Sequence, residues 1–194
     1  MIPPTKRQQQ IMDCSIKIIA ENGLESLTTK NISKSVGFSE AAIYKHFKSK
    51  NRILISILDY FERETQNILD EVQHQKKSSL EIIYEIFSAR INQFMNSPAL
   101  VIIIFSEEIF GNTPELAEKV FQIMELNQKV LSRIFSDGQL KGEIRTDADT
   151  RQLFMLVVGS FRFIVLGWKL AKYNYNLMDD FKKNWEFITK LIKK

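Results

Sequence analysis

Few residues in this chain can stop a helix: four prolines and seven glycines are spread through 194 residues. Between them run segments rich in Leu, Ile, Lys, Glu and Gln, side chains that lose little rotamer freedom on a helix. Apolar residues recur there at three- and four-residue spacing, the period of a buried helical stripe. The expected fold class is therefore all-α, with about nine helices. A chain of this length and apolar content can hold one ordinary domain and a smaller one.

Pro3 and Pro4 loosen the start, after which Ile11, Cys14, Ile18 and Ile19 mark a first helix closed by Gly23. A short second helix begins at Thr28 or Thr29, runs through Ile32 and Val36 and stops at Gly37. Ser39 caps an equally short third helix that ends near His46. Two short helices joined at Val36-Gly37-Phe38 make a helix-turn-helix, in which glycine permits a turn that a Cβ would strain. Ser49 caps a longer helix with the stripe Ile53, Leu54, Ile57, Leu58, Phe61, Ile68 and Leu69, and this helix is the lever from head to body. Further helices are expected over 80–96, 99–110, 114–136, 150–172 and 177–192. Pro98 and Pro114 suit first-turn positions, and Gly138 and Gly142 are taken as breaks.

Charge narrows the function. Residues 1–50 hold eight Lys and Arg against four Asp and Glu, while residues 51–194 hold nineteen of each. The whole excess of +4 thus sits in the segment with the helix-turn-helix, as a footprint for phosphate does. One cysteine rules out an internal disulfide framework. No apolar run follows Met1 closely enough for a secretory signal, so the expected compartment is the cytoplasm. The apolar stretch 153–168 is shorter than the roughly 20 residues of a membrane span and is interrupted by Arg162, so no membrane partner is expected.

The run 27–54, LTTKNISKSVGFSEAAIYKHFKSKNRIL, resembles the DNA-binding head of the TetR family of bacterial regulators, and the likeness reaches back through Ile18, Ala20 and Gly23. The resemblance implies a helix-turn-helix DNA-binding domain over 1–50 and a helical ligand-binding and dimerisation domain over 51–194. It makes 39–46 the recognition helix, braced by 29–35. Ser39, Glu40, Ala41 and Ala42 are small or polar enough for close approach to base edges, and Lys45 adds a donor. Ile32, Val36, Phe38, Ile43 and Phe47 are packing residues that fix the angle between the two helices. Thr28 or Thr29, Tyr44, His46 and Lys50 match family positions that grip phosphates. Three of these have a plainer alternative: a half-buried ring with a wet hydroxyl for Tyr44, a helix C-terminal cap for His46, a solvated lysine for Lys50. Glu40-Ala41-Ala42 departs from the family pattern, which commonly carries small residues with a glycine there. Glu40 suits both acceptance from a cytosine N4 and simple stabilisation of a helix N-terminus.

In the helix from about residue 150, apolar side chains occupy nearly every face between Leu153 and Leu166, so it must be covered on all sides. Packing of this helix and the last, with Phe181, Trp185, Ile188 and Leu191, on their copies in a homodimer answers that need. Gly159 and Gly167 would admit close backbone approach. A pocket for a small apolar or amphipathic ligand is expected among Phe87, Phe94, Phe105, Phe110, Phe121, Met124, Phe154 and Phe161. Arg90 and Arg162, amid apolar neighbours, need a partner: a ligand anion, or Glu107 or Glu108. No cofactor, metal site or catalytic residue is expected, since two histidines and one cysteine supply no ligand set and no nucleophile–base pair is evident. The expected function is a ligand-responsive regulator, a repressor that binds double-stranded operator DNA as a dimer. The alternative is a helical lipid or small-molecule binding protein that never touches DNA, and a steep salt dependence of DNA binding separates the two.

Overall fold

The computed structural model of the protein describes residues 3–73, 76–105 and 113–194. The side chain of Leu69, and Glu107, Glu108 and Phe110, lie outside the described residues. Among those described, nine α-helices follow one another: α1 Lys6–Asn22, α2 Thr29–Val36, α3 Glu40–His46, α4 Lys50–Gln73, α5 Ser79–Asn96, α6 Pro98–Ile104, α7 Pro114–Leu140, α8 Thr150–Leu170 and α9 Leu177–Ile192. Their starts are built by caps. Thr5 and Asp149 form capping boxes with Gln8 and Gln152, and Thr28, Ser39 and Asn176 accept from backbone N–H groups in the first turns of α2, α3 and α9.

The chain groups into two compact units. The first comprises residues 1–62 and 97–120. Ile11, Met12 and Ile19 of α1, Ile32 of α2, Ile43 of α3 and Ile57 and Leu58 of α4 fill its core, each burial being worth about 1.5–3 kcal/mol. α6 packs on α1 with Ala99, Leu100, Val101 and Ile103 buried. α7 is tied to α4 by ion pairs. Lys119 Nζ lies 2.6 Å from both Asp59 Oδ1 and Glu62 Oε2, and Arg52 Nη1 lies 3.4 Å from Glu115 Oε1. Burial works against the Lys119 charge, but its bonds to Asp59 and Glu62 outweigh this and hold its pKa above the usual lysine value.

The second unit comprises residues 63–96 and 121–194. α9 packs against both α8 and α5. The C-terminal end is stitched to the loop before α8, with Arg145 N–H donating to Ile192 O (2.9 Å) and Lys194 N–H to Glu143 O (3.2 Å). The chain passes from one unit to the other three times, inside α4, between α5 and α6, and inside α7. α4 is therefore one of three covalent links between these two units.

Two helix ends differ from expectation. The helix expected over 99–110 ends, as α6, at Ile104, and residues 106–110 lie outside the described set. The helix expected to end at 136 runs on as α7 to Leu140, straight through Gly138. Gly138 is not a break but a close contact: a Cβ there would stand 2.6 Å from Ile144 Cδ1 and 2.9 Å from Ser79 Cβ. The break is at Gly142, whose φ of 71° is left-handed. Gly138→Ala is expected to lower stability by about 1–3 kcal/mol, read as a shifted denaturant midpoint at constant m. Helix propensity alone would favour Ala by roughly 0.5–1 kcal/mol, so a more stable variant would contradict the contact.

Candidate nucleic-acid interface

The first unit carries the helix-turn-helix as the sequence implied. Gly37 ends α2 in the left-handed region (φ 76°, ψ 24°), and its N–H and that of Phe38 both reach Ser33 O, at 3.0 and 3.2 Å. α3 is one-sided. Ile43 is buried beneath it, with Phe47 buried just past its end, whereas Ser39, Glu40, Ala41, Tyr44 and Lys45 are exposed on the face opposite. Tyr44 is 52% exposed, yet its hydroxyl accepts from Thr29 Oγ1 at 3.3 Å, which ties α3 to the first residue of α2. Thr28 caps α2 through Asn31 N–H (3.1 Å) and Ser39 caps α3 through Ala42 N–H (3.2 Å). His46 is half-buried in the last turn of α3, and Lys50 is exposed at the start of α4. Thr28, Thr29, Ser39, Glu40, Ala41, Tyr44, Lys45, His46 and Lys50 thus all lie on or beside two short helices.

The electrostatics follow from which cations are paired. Of the eight Lys and Arg in residues 1–50, Lys17 forms an ion pair, with Glu21 at 3.9 Å. Lys6, Arg7, Lys30, Lys34, Lys45, Lys48 and Lys50 form none among the described residues. Cations left without a carboxylate keep their full attraction for phosphate.

In the second unit an aromatic lane joins α5, α8 and α9. Phe87 and Phe94 approach Phe161 with ring centroids at 4.7 and 6.2 Å, Phe161 meets Phe181 edge-on at 6.4 Å, and Tyr84 stacks on Phe181 at 5.6 Å. One helical turn from Phe87 and Phe94 sits Arg90, 8% exposed, whose guanidinium donates to Thr65 Oγ1 on α4 and to Gln93 Oε1. Burial pulls its pKa down, to about 9, against the Glu64 carboxylate that holds it up, so it remains a cation at neutral pH. The structure therefore gathers Phe87, Arg90, Phe94 and Phe161. Phe154 and Arg162 are half-buried on α8, Phe121 and Met124 on α7 are 59% and 46% exposed, and Phe105 falls in the first unit.

α8 has two distinct faces. Leu153, Val157, Phe161, Val165 and Trp168 are buried, while Gln152, Leu156, Gly159, Phe163, Leu166 and Leu170 are exposed on the other side at alternating spacings of four and three. That alternation is the 3.5-residue seam of paired helices. Phe163 is 76% exposed, and Phe187 and Leu191 of α9 are also bare. α8 is long and apolar enough to cross a membrane by length and composition, a property it shares with core helices of soluble proteins.

The model of the bacterial tetR regulatory protein family matches residues 11–57, and that of the YsiA-like C-terminal region matches residues 59–191. The chain belongs to the TetR family of bacterial regulators. It is accordingly a ligand-responsive transcriptional regulator with a DNA-binding helix-turn-helix. The fatty acid metabolism regulator protein of Bacillus subtilis is 27% identical over 177 residues, covering 89% of this chain and 88% of that protein. In fold, the chain is similar to the fatty acid degradation regulator FadR from Bacillus halodurans, with a TM-score of 0.83, 20% identity and 97% of each chain covered. It is also similar to FadR from Bacillus subtilis in complex with stearoyl-CoA, with a TM-score of 0.81, 24% identity and coverage of 93% of this chain and 97% of that one.

Proposed function

We propose that this TetR-family chain is a dimeric cytoplasmic repressor that a long-chain acyl compound releases from a pseudo-palindromic operator. Residues 1–50 read DNA and residues 51–194 sense the ligand and dimerise. Glu40, Ala41 and Lys45 face base edges, and Thr28, Thr29, Ser39, Tyr44, His46 and Lys50 hold phosphates. The seam of α8, with Phe187 and Leu191, pairs with a second copy, and two-fold symmetry lets two recognition helices read a site with half-sites about one DNA turn apart.

The ligand class rests on the aromatic lane. The rings of Phe87, Phe94 and Phe161 form a buried apolar lane suited to an alkyl chain, and the buried cation Arg90, one turn away on α5, suits an anionic or strongly polar group at one end. The likeness to a fatty acid regulator, and to a fold solved with stearoyl-CoA, supports the same class here. The test is a titration of operator binding with stearoyl-CoA and with a short-chain acyl-CoA: release by the long chain and not the short supports the reading, and no release by either opposes it.

Lys50→Ala is expected to weaken binding by a similar factor on all DNA sequences and to flatten the salt slope by about one ion per head. Changes at Glu40, Ala41 or Lys45 are expected instead to alter sequence preference, by about 1–3 kcal/mol per base contact. A mobility-shift series across salt concentrations and operator variants distinguishes the two behaviours.

A further inference from the structure

Arg7 stands outside the helix-turn-helix, in the first turn of α1, yet it is held against that motif. Its guanidinium carbon lies 4.6 Å from the centroid of the Phe38 ring. Phe38 follows Gly37 in the turn and immediately precedes Ser39, the cap of α3, so the guanidinium sits beside the end of the recognition helix that enters the groove. α1 and α3 pack together in the same unit, which fixes this placement. The guanidinium carbon sits over the ring, and Nη1 donates to Gln10 Oε1 at 3.3 Å. Arg7 is exposed and forms no ion pair among the described residues. A guanidinium carries five N–H donors in one plane, and the bond to Gln10 uses one of them, so donors remain to meet an anion.

We propose that Arg7 is a phosphate-binding residue of the DNA interface, held in position by Phe38 at the flank of the recognition helix. An unpaired arginine fixed on a ring loses less side-chain freedom on meeting a phosphate than a solvated one does. Its target is backbone and not base: α3 presents its own first turn to the base edges, and Arg7 reaches the DNA from the neighbouring helix. The inference rests on the head's binding DNA, and its test separates the two.

The test measures binding of the full-length protein to a mixed-sequence duplex, and to operator variants obtained by selection, across a salt series. Arg7→Gln is expected to reduce the slope of log K against log salt by about one per head. Equivalently, the loss of affinity between about 50 and 200 mM salt shrinks by about 3.5-fold per head. Arg7→Lys keeps the charge without the stacked plane and is expected to restore the slope, though not the full affinity. Thermal unfolding of both variants is expected to match the parent. A parental slope in Arg7→Gln overturns the proposal, and with a lowered Tm it assigns the residue to folding alone. Losses confined to particular sequences overturn it too, because they would make Arg7 a base reader. A parental protein with no salt dependence would instead remove the DNA reading beneath it.

Discussion

Phe163→Asp is expected to yield a folded monomer that no longer holds operator DNA. Phe163 is 76% exposed in the protomer, so the substitution costs the protomer little, within about 0.5 kcal/mol. In a dimer paired along the α8 seam, the same change buries an unpaired carboxylate from each copy, at several kcal/mol. Operator affinity then falls by roughly 10²–10⁴, the gain lost when two linked heads no longer engage two half-sites together. Sedimentation, unfolding and mobility shift together decide it. Leu156→Asp, on the same exposed line, is expected to behave alike. A stable dimer carrying Phe163→Asp would place the interface elsewhere, and an unfolded chain would mean that the seam is part of a single-chain core.

Arg90→Ala is expected to be a costly truncation inside the second unit. The guanidinium serves Thr65, itself 3% exposed, and Gln93, and it balances Glu64. Deleting it strands the buried Thr65 hydroxyl, removes a partner from the half-buried Gln93 and Glu64, and leaves a void between α4 and α5, a loss of about 2–4 kcal/mol. The readout is the urea midpoint without ligand. A change below about 1 kcal/mol would mean that Arg90 is not structural, and ligand affinity would then be the place to look for its role. Arg90→Lys keeps a charge but not the fork and is expected to fall between.

What the sequence made legible was local. The head could be read because its signals are contiguous: Thr28 and Ser39 as caps, Gly37 in the only conformation that closes the turn, Ile32 and Ile43 as inward residues. The packing of residues 97–120 with residues 1–62 could not, because the apolar stripe of α6 says that it is buried and not against what. Nor could the two faces of α8, where an apolar residue at nearly every position conceals which stripe is covered. The spacing of Leu156, Gly159, Phe163, Leu166 and Leu170 was the available signal. Met124 illustrates the limit: Ile123 beside it is buried while Met124 is half-exposed, and a one-residue rotation of α7 would exchange them. Gly138 reads as a breaker by type, and its actual role depends on Ser79 and Ile144 lying close by. Arg7 gives no motif signal, since its meaning arises from contact with Phe38, 31 positions away.

A ligand and an operator that compete through two states of one molecule are linked reciprocally. A ligand that weakens operator binding tenfold prefers the DNA-free state by about 1.4 kcal/mol, and operator DNA must weaken the ligand by the same factor. The direct measurement is the Kd of stearoyl-CoA with and without a saturating, selected operator duplex. Binding is expected to be weaker in the presence of the duplex, by the factor with which stearoyl-CoA weakens the operator complex. Equal affinities, or tighter binding with DNA present, would contradict it.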